Sequence, residues 1–319
     1  MNPYAFFVGC PRSGTTLLGR IGDAHPELAV IHETRWIADR WEKGTGLTRE
    51  GHVTPVLLAS LREHPRFAKL GIDPAMVGGL LAAGDEPVTY ADFVTTLFDL
   101  CGELRHKRLV GDKTPRYVRS IPTLSKLWPH AKFVHLIRDG RDVCLSVLEW
   151  RKGAPNFSTW DEDPVSTTAF WWEWQVRLGR EAGAALGPDR YHELRYESLV
   201  ADPERECVTL CGFLGLRYDP AMLRFHEARM REDPGLDAKR AWRPVTSGLR
   251  AWESQLPVAD VVRFEAAAGP LLNELGYARA APSPPDEQVE RAQRLRRAFA
   301  DDVRSRRRPV PAAWGSVAA

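Results

Sequence analysis

Residues 6–18 read FFVGCPRSGTTLL. An apolar run, Phe6-Phe7-Val8, meets a glycine, and a polar turn leads into Thr15-Thr16-Leu17-Leu18. A buried strand that passes through a glycine-bearing turn into a helix makes a phosphate cradle. The unpaired N–H groups of the first helical turn point at one spot, and the helix dipole favours negative charge there. The nucleotide form of such a loop is G-x-x-x-x-G-K-[ST]. Gly9 and Gly14 keep that spacing and Thr16 fills the last position, but Thr15 stands where the lysine belongs. Arg12, earlier in the loop, offers a planar cation that can bridge anionic oxygens. Glycines, hydroxyls and a cation between a strand and a helix are hard to explain as a plain structural turn.

The rest of the chain reads as strands alternating with helices. Strands are expected over 4–9, 28–31, the segment RLVG ending at Asp112-Lys113-Thr114, 132–137 and 190–195. Helices are expected over 14–24, near 35–42, 54–63 and 74–82, over 90–104 with Thr89 as cap, and over 121–128, 139–150, 165–186, 203–214 and 257–275. That alternation predicts an α/β fold: a P-loop NTPase-like parallel sheet flanked by helices. Ligands of such sheets bind beyond the carboxyl ends of the strands. The domain is expected over 1–278. APSPP then marks a linker, and 279–319 forms an arginine-rich helical tail. Residues 286–308 hold eight Arg against five Asp or Glu. A solvated helix packed on the body is the plainer reading of them, a partner or substrate contact the sharper one.

The 44 basic and 42 acidic residues nearly cancel, so a general nucleic-acid binder is not expected and any electropositive site is local. No stretch approaches the length of a membrane span, and no basic and apolar leader opens the chain. The five cysteines are odd in number and scattered. Cys207 and Cys211, on one helical face, read as small buried hydrophobes rather than a metal pair. The composition fits a reducing cytoplasm.

A second motif, FVHLIRDGRDVCLS, sharpens the ligand. In a nucleoside triphosphatase a strand like 132–137 would end in a magnesium-holding aspartate. This one ends in Arg138, so side chains and not a metal neutralise the ligand. Asp139 reads as a helix N-cap, Gly140 as a point of close approach, and Arg141 as an ordinary surface charge. Ser146 lies two helical turns on, roughly 11 Å from the start of the helix. Arg138 and Ser146 can therefore grip a group set away from the first loop. The expected ligand has two separated anionic centres.

PRSGTTLL followed by a strand ending in RDGRDV resembles the sulfotransferases that use 3′-phosphoadenosine 5′-phosphosulfate (PAPS). The resemblance implies that Arg12, Ser13, Gly14, Thr15 and Thr16 hold the 5′-phosphosulfate, and that Arg138 and Ser146 hold the 3′-phosphate. RYESLVADPERE…CGFLGL resembles the family's Y-E-x-L-x-x-D-P segment, which implies that Tyr196 lines the nucleotide. A late W…LGY segment, Trp252 to Tyr277, also matches. GDKTP resembles the K-x-P turn, whose lysine, here Lys113, would stabilise charge on the leaving phosphate. KRAWRPVTSGLRAW would correspond to the loop closing over PAPS, with Lys239, Arg240, Arg243 and Arg250 as candidates for the 3′-phosphate. The product would be adenosine 3′,5′-bisphosphate (PAP), with no metal required.

The run PRSGTTLL…DAHPE…ETR resembles the tyrosylprotein sulfotransferases in particular. By that likeness Glu33 is the general base and Arg35 positions the acceptor. The adjacent His32 is the other candidate base, and Trp36 and Trp41 could line an aromatic acceptor pocket or be core. Those relatives carry a proline and a basic residue just past E-T-R-x-x. Here Ala38-Asp39 stand there, which argues against acidic peptides and leaves a phenolic acceptor open. The expected partner is a hydroxyl-bearing small molecule or peptide, and a homodimer is compatible with the reading. Two other activities compete. A kinase or nucleotide hydrolase would need magnesium and an acid after residue 137. A non-catalytic nucleotide-binding regulator would not need Glu33 or Lys113.

Overall fold

The computed structural model of the chain describes residues 4–73, 76–78, 86–150, 155–227, 245 and 251–315. Strand β1 (Ala5–Gly9) is wholly buried and feeds helix α1 (Thr15–Asp23). Strand β2 (Leu28–His32) leads to α2 (Trp36–Lys43), α3 (Pro55–Arg62) and α4 (Tyr90–Leu104). Thr89 caps α4 as expected, its hydroxyl accepting from the Asp92 N–H at 3.1 Å. Strand β3 (Leu109–Lys113) runs into a 3-10 turn, Pro115–Arg119, and then α5 (Ile121–Leu127). Strand β4 (Lys132–Ile137), α6 (Gly140–Glu149), α7 (Pro164–Leu186) and β5 (Tyr191–Arg195) follow. The helices that follow are α8 (Tyr196–Ala201), α9 (Pro203–Leu214), α10 (Trp252–Gln255), α11 (Val258–Glu274), α12 (Asp286–Ser305) and the short α13 (Ala312–Gly315). Most of the helix expected over 74–82 falls outside the described residues. The short helix α8 and the 3-10 turn at 115–119 are not legible in the sequence. Each is too brief to show a helical period.

The five strands form one parallel sheet in the order β2-β3-β1-β4-β5. The α/β sheet expected from the alternating pattern is thus present. Strand residues alternate between two cores. Phe6 and Val8 pack with α4 and α5 on one face, while Ala5 and Phe7 pack with Leu18 and Ile21 of α1 and with α9 on the other. Strand order reverses at β1, which lies between β3 and β4. Connections leave its carboxyl end in opposite directions, and a crevice opens there. The carboxyl ends of β1, β3 and β4 bring Gly9, Lys113 and Arg138 to that crevice.

A third apolar cluster joins α6, α7 and α11 to α12. Helix α12 buries Ala292, Leu295, Phe299, Ala300 and Val303 along one face. The Phe299 ring lies 4.2 Å from Phe157 and also meets Phe170 and Trp174. Its arginines pair with acids on and beside α7: Arg291 with Asp163, Arg294 with Glu162, Arg296 with Glu173. The arginine-rich stretch therefore packs on the body through an apolar stripe. Phe299→Ala is expected to cost about 3–5 kcal/mol of stability in urea denaturation, as for other buried phenylalanines. A loss below about 1 kcal/mol, the size of a surface change, would place α12 outside the cooperative core.

Candidate active site

The loop between β1 and α1 is built to hold an anion. Helix α1 starts after Gly14, which sits at φ 93 with no side chain capping the helix. The N–H groups of the first turn are thus left to a ligand. A Cβ at Gly14 would lie 2.5 Å from the Tyr196 ring, so glycine is required by both conformation and space. That contact lays the start of α8 over the loop and brings Tyr196 to the cradle. Ser13 is fully buried, and its hydroxyl has no partner among the described residues. Thr15 is buried on the first turn and Thr16 follows it. Arg12 adopts φ 79, a strained backbone for a non-glycine residue. Its Nε donates to Ser146 Oγ at 2.8 Å, and its guanidinium lies 4.7 Å from the Trp150 ring centre. Arg12 and Ser146, read from separate motifs, are joined directly.

Arg138 is buried at the end of β4. It donates to Asp142 at 2.9 Å and stacks 4.1 Å over Tyr196, while its Nε is buried without a partner among the described residues. A buried guanidinium nitrogen and a buried hydroxyl, both unsatisfied and both beside a capless helix start, fit a ligand with two anionic groups. Asp139 caps α6 as expected, accepting from the Arg141 N–H at 2.9 Å. Gly140 does permit close approach: a Cβ there would meet Phe264 and Trp172 at 2.6 Å. Arg141 is not the surface charge expected from the sequence. It is 2% exposed, paired with Asp139 and Glu265 at 2.7 Å each, and stacked 3.6 Å over Trp252. A buried guanidinium needs such a set of acceptors, and this one ties α6 to α10 and α11. Trp252 also donates its backbone N–H to Asp142, so the W…LGY segment is anchored beside Arg138. Glu197, beyond Tyr196, accepts from the Asp139 N–H and from the Tyr277 hydroxyl.

The third element of the site centres on Glu33. Lys113, nearly buried at the end of β3, donates to Glu33 Oε1 at 3.0 Å. Arg35 and Arg66 reach Oε2 at 2.5 and 3.3 Å. Burial pushes the Glu33 carboxyl up, but Lys113 and Arg35 together outweigh it and hold the pKa down at about 2. Glu33 and Arg35 both have left-handed backbones, at φ 56 and 59. The turn is held by Tyr117, whose hydroxyl meets Thr34 Oγ1 and the Ile37 N–H at 2.9 Å each. The E-T-R turn and the K-T-P turn are thereby locked together. His32 pairs in register with Lys113 and lies on the α1 side, its ring against Gly19. Trp36 is 1% exposed and packs on Phe67. It belongs to the core and has no surface to offer an acceptor, because the strained turn rotates the start of α2 inward. Trp41 is exposed and stacks on Tyr90.

With this geometry in view, the comparisons are direct. The model of the sulfotransferase family matches residues 3–220. The chain belongs to the sulfotransferase family. A protein-tyrosine sulfotransferase from Drosophila melanogaster is 28% identical over 299 residues, covering 89% of this chain and 53% of its own length. Protein-tyrosine sulfotransferase 1 from Danio rerio is 29% identical, covering 86% of this chain and 72% of its own. The chain thus spans about half the length of the first and about seven-tenths of the second. Among solved structures, the sulfotransferase domain of the Synechococcus PCC 7002 olefin synthase superposes with a TM-score of 0.57 at 25% identity, over 87% of this chain and 95% of that one. The family's donor is PAPS, and sulfuryl transfer from PAPS to a hydroxyl is the activity the motifs imply.

Lys239, Arg240, Arg243 and Arg250 of this sulfotransferase lie outside the described residues. Two residues at the site escaped the sequence reading. Arg66 sits in no motif, and only folding brings it to Glu33. Tyr117 lies four residues past Lys113, outside the motif that singled out the lysine. The depressed Glu33 pKa has a stability consequence. A carboxylate whose folded pKa lies below its ordinary value of 4.5 contributes stability above that value. The contribution is lost as pH falls through the folded pKa. Urea denaturation of wild type and Glu33→Gln should therefore show the wild type losing stability relative to the variant from about pH 4.5 to 2. A gap that stays constant over that range would contradict the ion-pair cluster.

Proposed function

We propose that this sulfotransferase moves the sulfuryl group of PAPS to a phenolic hydroxyl, on a peptide tyrosine or a small molecule, with Glu33 as general base. The observation that carries this reading is the Lys113–Glu33 contact of 3.0 Å at the crevice. It puts a carboxylate next to the lysine expected at the leaving group. Gly14, Ser13 and the first turn of α1, with Thr15 and Thr16, would hold the 5′-phosphosulfate. Arg12 would bridge it to Ser146, and Arg138, with Tyr196 against it, would hold the 3′-phosphate. The phenolic acceptor rests on the likeness to the two protein-tyrosine sulfotransferases. Asp39 is bound bidentately by Arg116 at 2.7 Å, so it presents no bare negative charge to an acceptor.

In this mechanism Glu33 takes the acceptor proton as the acceptor oxygen bonds to sulfur. The bond from sulfur to the 5′-phosphate oxygen breaks, and PAP leaves. Lys113 and Arg12 stabilise the charge that develops on the leaving oxygen. A carboxylate with a pKa near 2 is a weak base. Lys113 cannot serve Glu33 and the leaving oxygen fully at once. As Lys113 turns to the donor, Glu33 loses its closest buried cation and its basicity rises. Arg35 and Arg66 keep hold of Oε2, which leaves Oε1 to accept the proton. What supports a cytoplasmic location is that all five cysteines are buried and unpaired. Among the described residues no helix is long and apolar enough to cross a membrane. Among them, too, no group of three or more His, Cys, Asp or Glu is placed to hold a metal.

Glu33→Gln should bind PAP as the wild type does in calorimetry while turnover falls by about 10²-fold or more. Full activity in that variant would remove Glu33 from the mechanism. Arg138→Ala should weaken PAP about tenfold or more and leave adenosine 5′-phosphate binding nearly unchanged. An equal loss for both nucleotides would mean that Arg138 does not read the 3′-phosphate.

A further inference from the structure

Arg119 is a cation without an acceptor among the described residues. It ends the 3-10 turn that follows Lys113, and its guanidinium lies 4.8 Å over the Trp174 ring. Its Nε is buried, and among the described residues no carboxylate or carbonyl reaches the side chain. A guanidinium removed from water without a partner is costly. The neighbouring charges make this worse. The C-terminal tail turns at Arg307, which adopts φ 52, with the Arg308 N–H returning to Val303 O at 3.2 Å. That turn sends the chain onto α7, where Trp174 donates its indole N–H to Pro309 O at 2.8 Å. The ring under Arg119 is thus the ring that anchors the residue after Arg308.

Arg308 has no acceptor for its guanidinium among the described residues either. Arg116, one turn before Arg119, is spoken for by Asp39, and Arg306 by Asp302. Burial, then Arg308 and Arg116, draw Arg119 down to about 10, with Asp39 and Glu42 opposing. Arg308 is drawn down too, by burial and by Arg306 and Arg116, against Asp39 and Asp302. Arg119 with its buried Nε, the exposed Arg308 and the Asp39-paired Arg116, brought by two separate segments, the 115–119 turn and the C-terminal tail, leave positive charge for a counter-ion. The planar forks of arginine suit a tetrahedral oxyanion.

We propose that Arg116, Arg119 and Arg308 form a second oxyanion site for a phosphate or sulfate group, closed by the C-terminal tail beside Trp174. It does not rest on the role given to Glu33. Arg308 lies beyond the segment that matches the sulfotransferase family, and Arg116 and Arg119 lie within it. The anion is either a free ion or one carried by an aromatic ligand, and the two have the same binding chemistry.

The test uses the full chain with the donor cradle saturated by PAP. Inorganic phosphate is titrated at constant ionic strength, with binding read by calorimetry and by thermal midpoint. The wild type should show saturable binding and a rise in midpoint. Arg308→Met, an exposed position that leaves the fold intact, should weaken phosphate about tenfold or more, and so should Arg119→Met, which keeps an apolar stem on Trp174. Arg297→Met, an exposed arginine elsewhere on α12, should match the wild type. A second arm replaces phosphate by phenyl phosphate. Tighter binding that depends on Arg119 and Arg308 assigns the site to an aromatic-borne anion, and equal binding assigns it to the free ion. No saturable phosphate binding under PAP saturation, or binding unchanged in both Met variants, overturns the proposal.

Discussion

The site depends on the parallel pairing of β1 with β3 on one side and β4 on the other. Parallel strands end at the same edge, so three loops from distant parts of the sequence are delivered to one crevice. Gly9 leads into the anion cradle, Lys113 ends β3, and Arg138 follows β4. The reversal of strand order at β1 keeps the space between these loops open. A slip of one residue in β3 would turn Lys113 to the opposite face of the sheet. The buried apolar residues on both faces, Phe6 and Val8 against Ala5 and Phe7, prevent such a slip.

On this frame the protein uses cations in two distinct ways. Arg141 is fully satisfied by Asp139, Glu265 and the Ala278 carbonyl, and it welds α6 to the later helices. Arg138, three residues earlier, has among the described residues one carboxylate, one aromatic face and one unsatisfied nitrogen. The first arrangement holds structure, and the second leaves capacity for a ligand. Around Glu33 the balance is different again. Three cations from three segments converge on one carboxylate, and its left-handed backbone is held by Tyr117 through Thr34 and Ile37. Strain of this kind survives only where surrounding contacts over-determine the turn.

Much of this was legible in the chain itself. The alternation of apolar runs and helical periods placed the strands and the long helices within a residue or two of their observed ends. The spacing of Gly9, Gly14 and Thr16, and the arginine after residue 137, indicated an anion site neutralised by side chains. These features are local, because turn geometry, caps and amphipathic period are properties of short segments. Tyr196, singled out through its motif, packs against Gly14. The same local reading failed where a side chain's surroundings come from elsewhere. Arg141 looked like surface because its partners Glu265 and Ala278 are more than a hundred residues away. Trp36 read as either pocket wall or core, because nothing near it in sequence reveals that Phe67 packs on it.

The sequence by itself determined the fold class, the cradle and the kind of ligand, because helix starts, strand ends and charge type are written in contiguous residues. Tertiary structure alone decided which charges meet. It brought Arg66 to Glu33, Arg12 to Ser146, and the tail's Arg308 towards Arg119 beside Trp174. Electrostatic interaction falls with distance and rises with burial. Its strength at each of these groups is therefore a property of the folded neighbourhood, which no single segment contains.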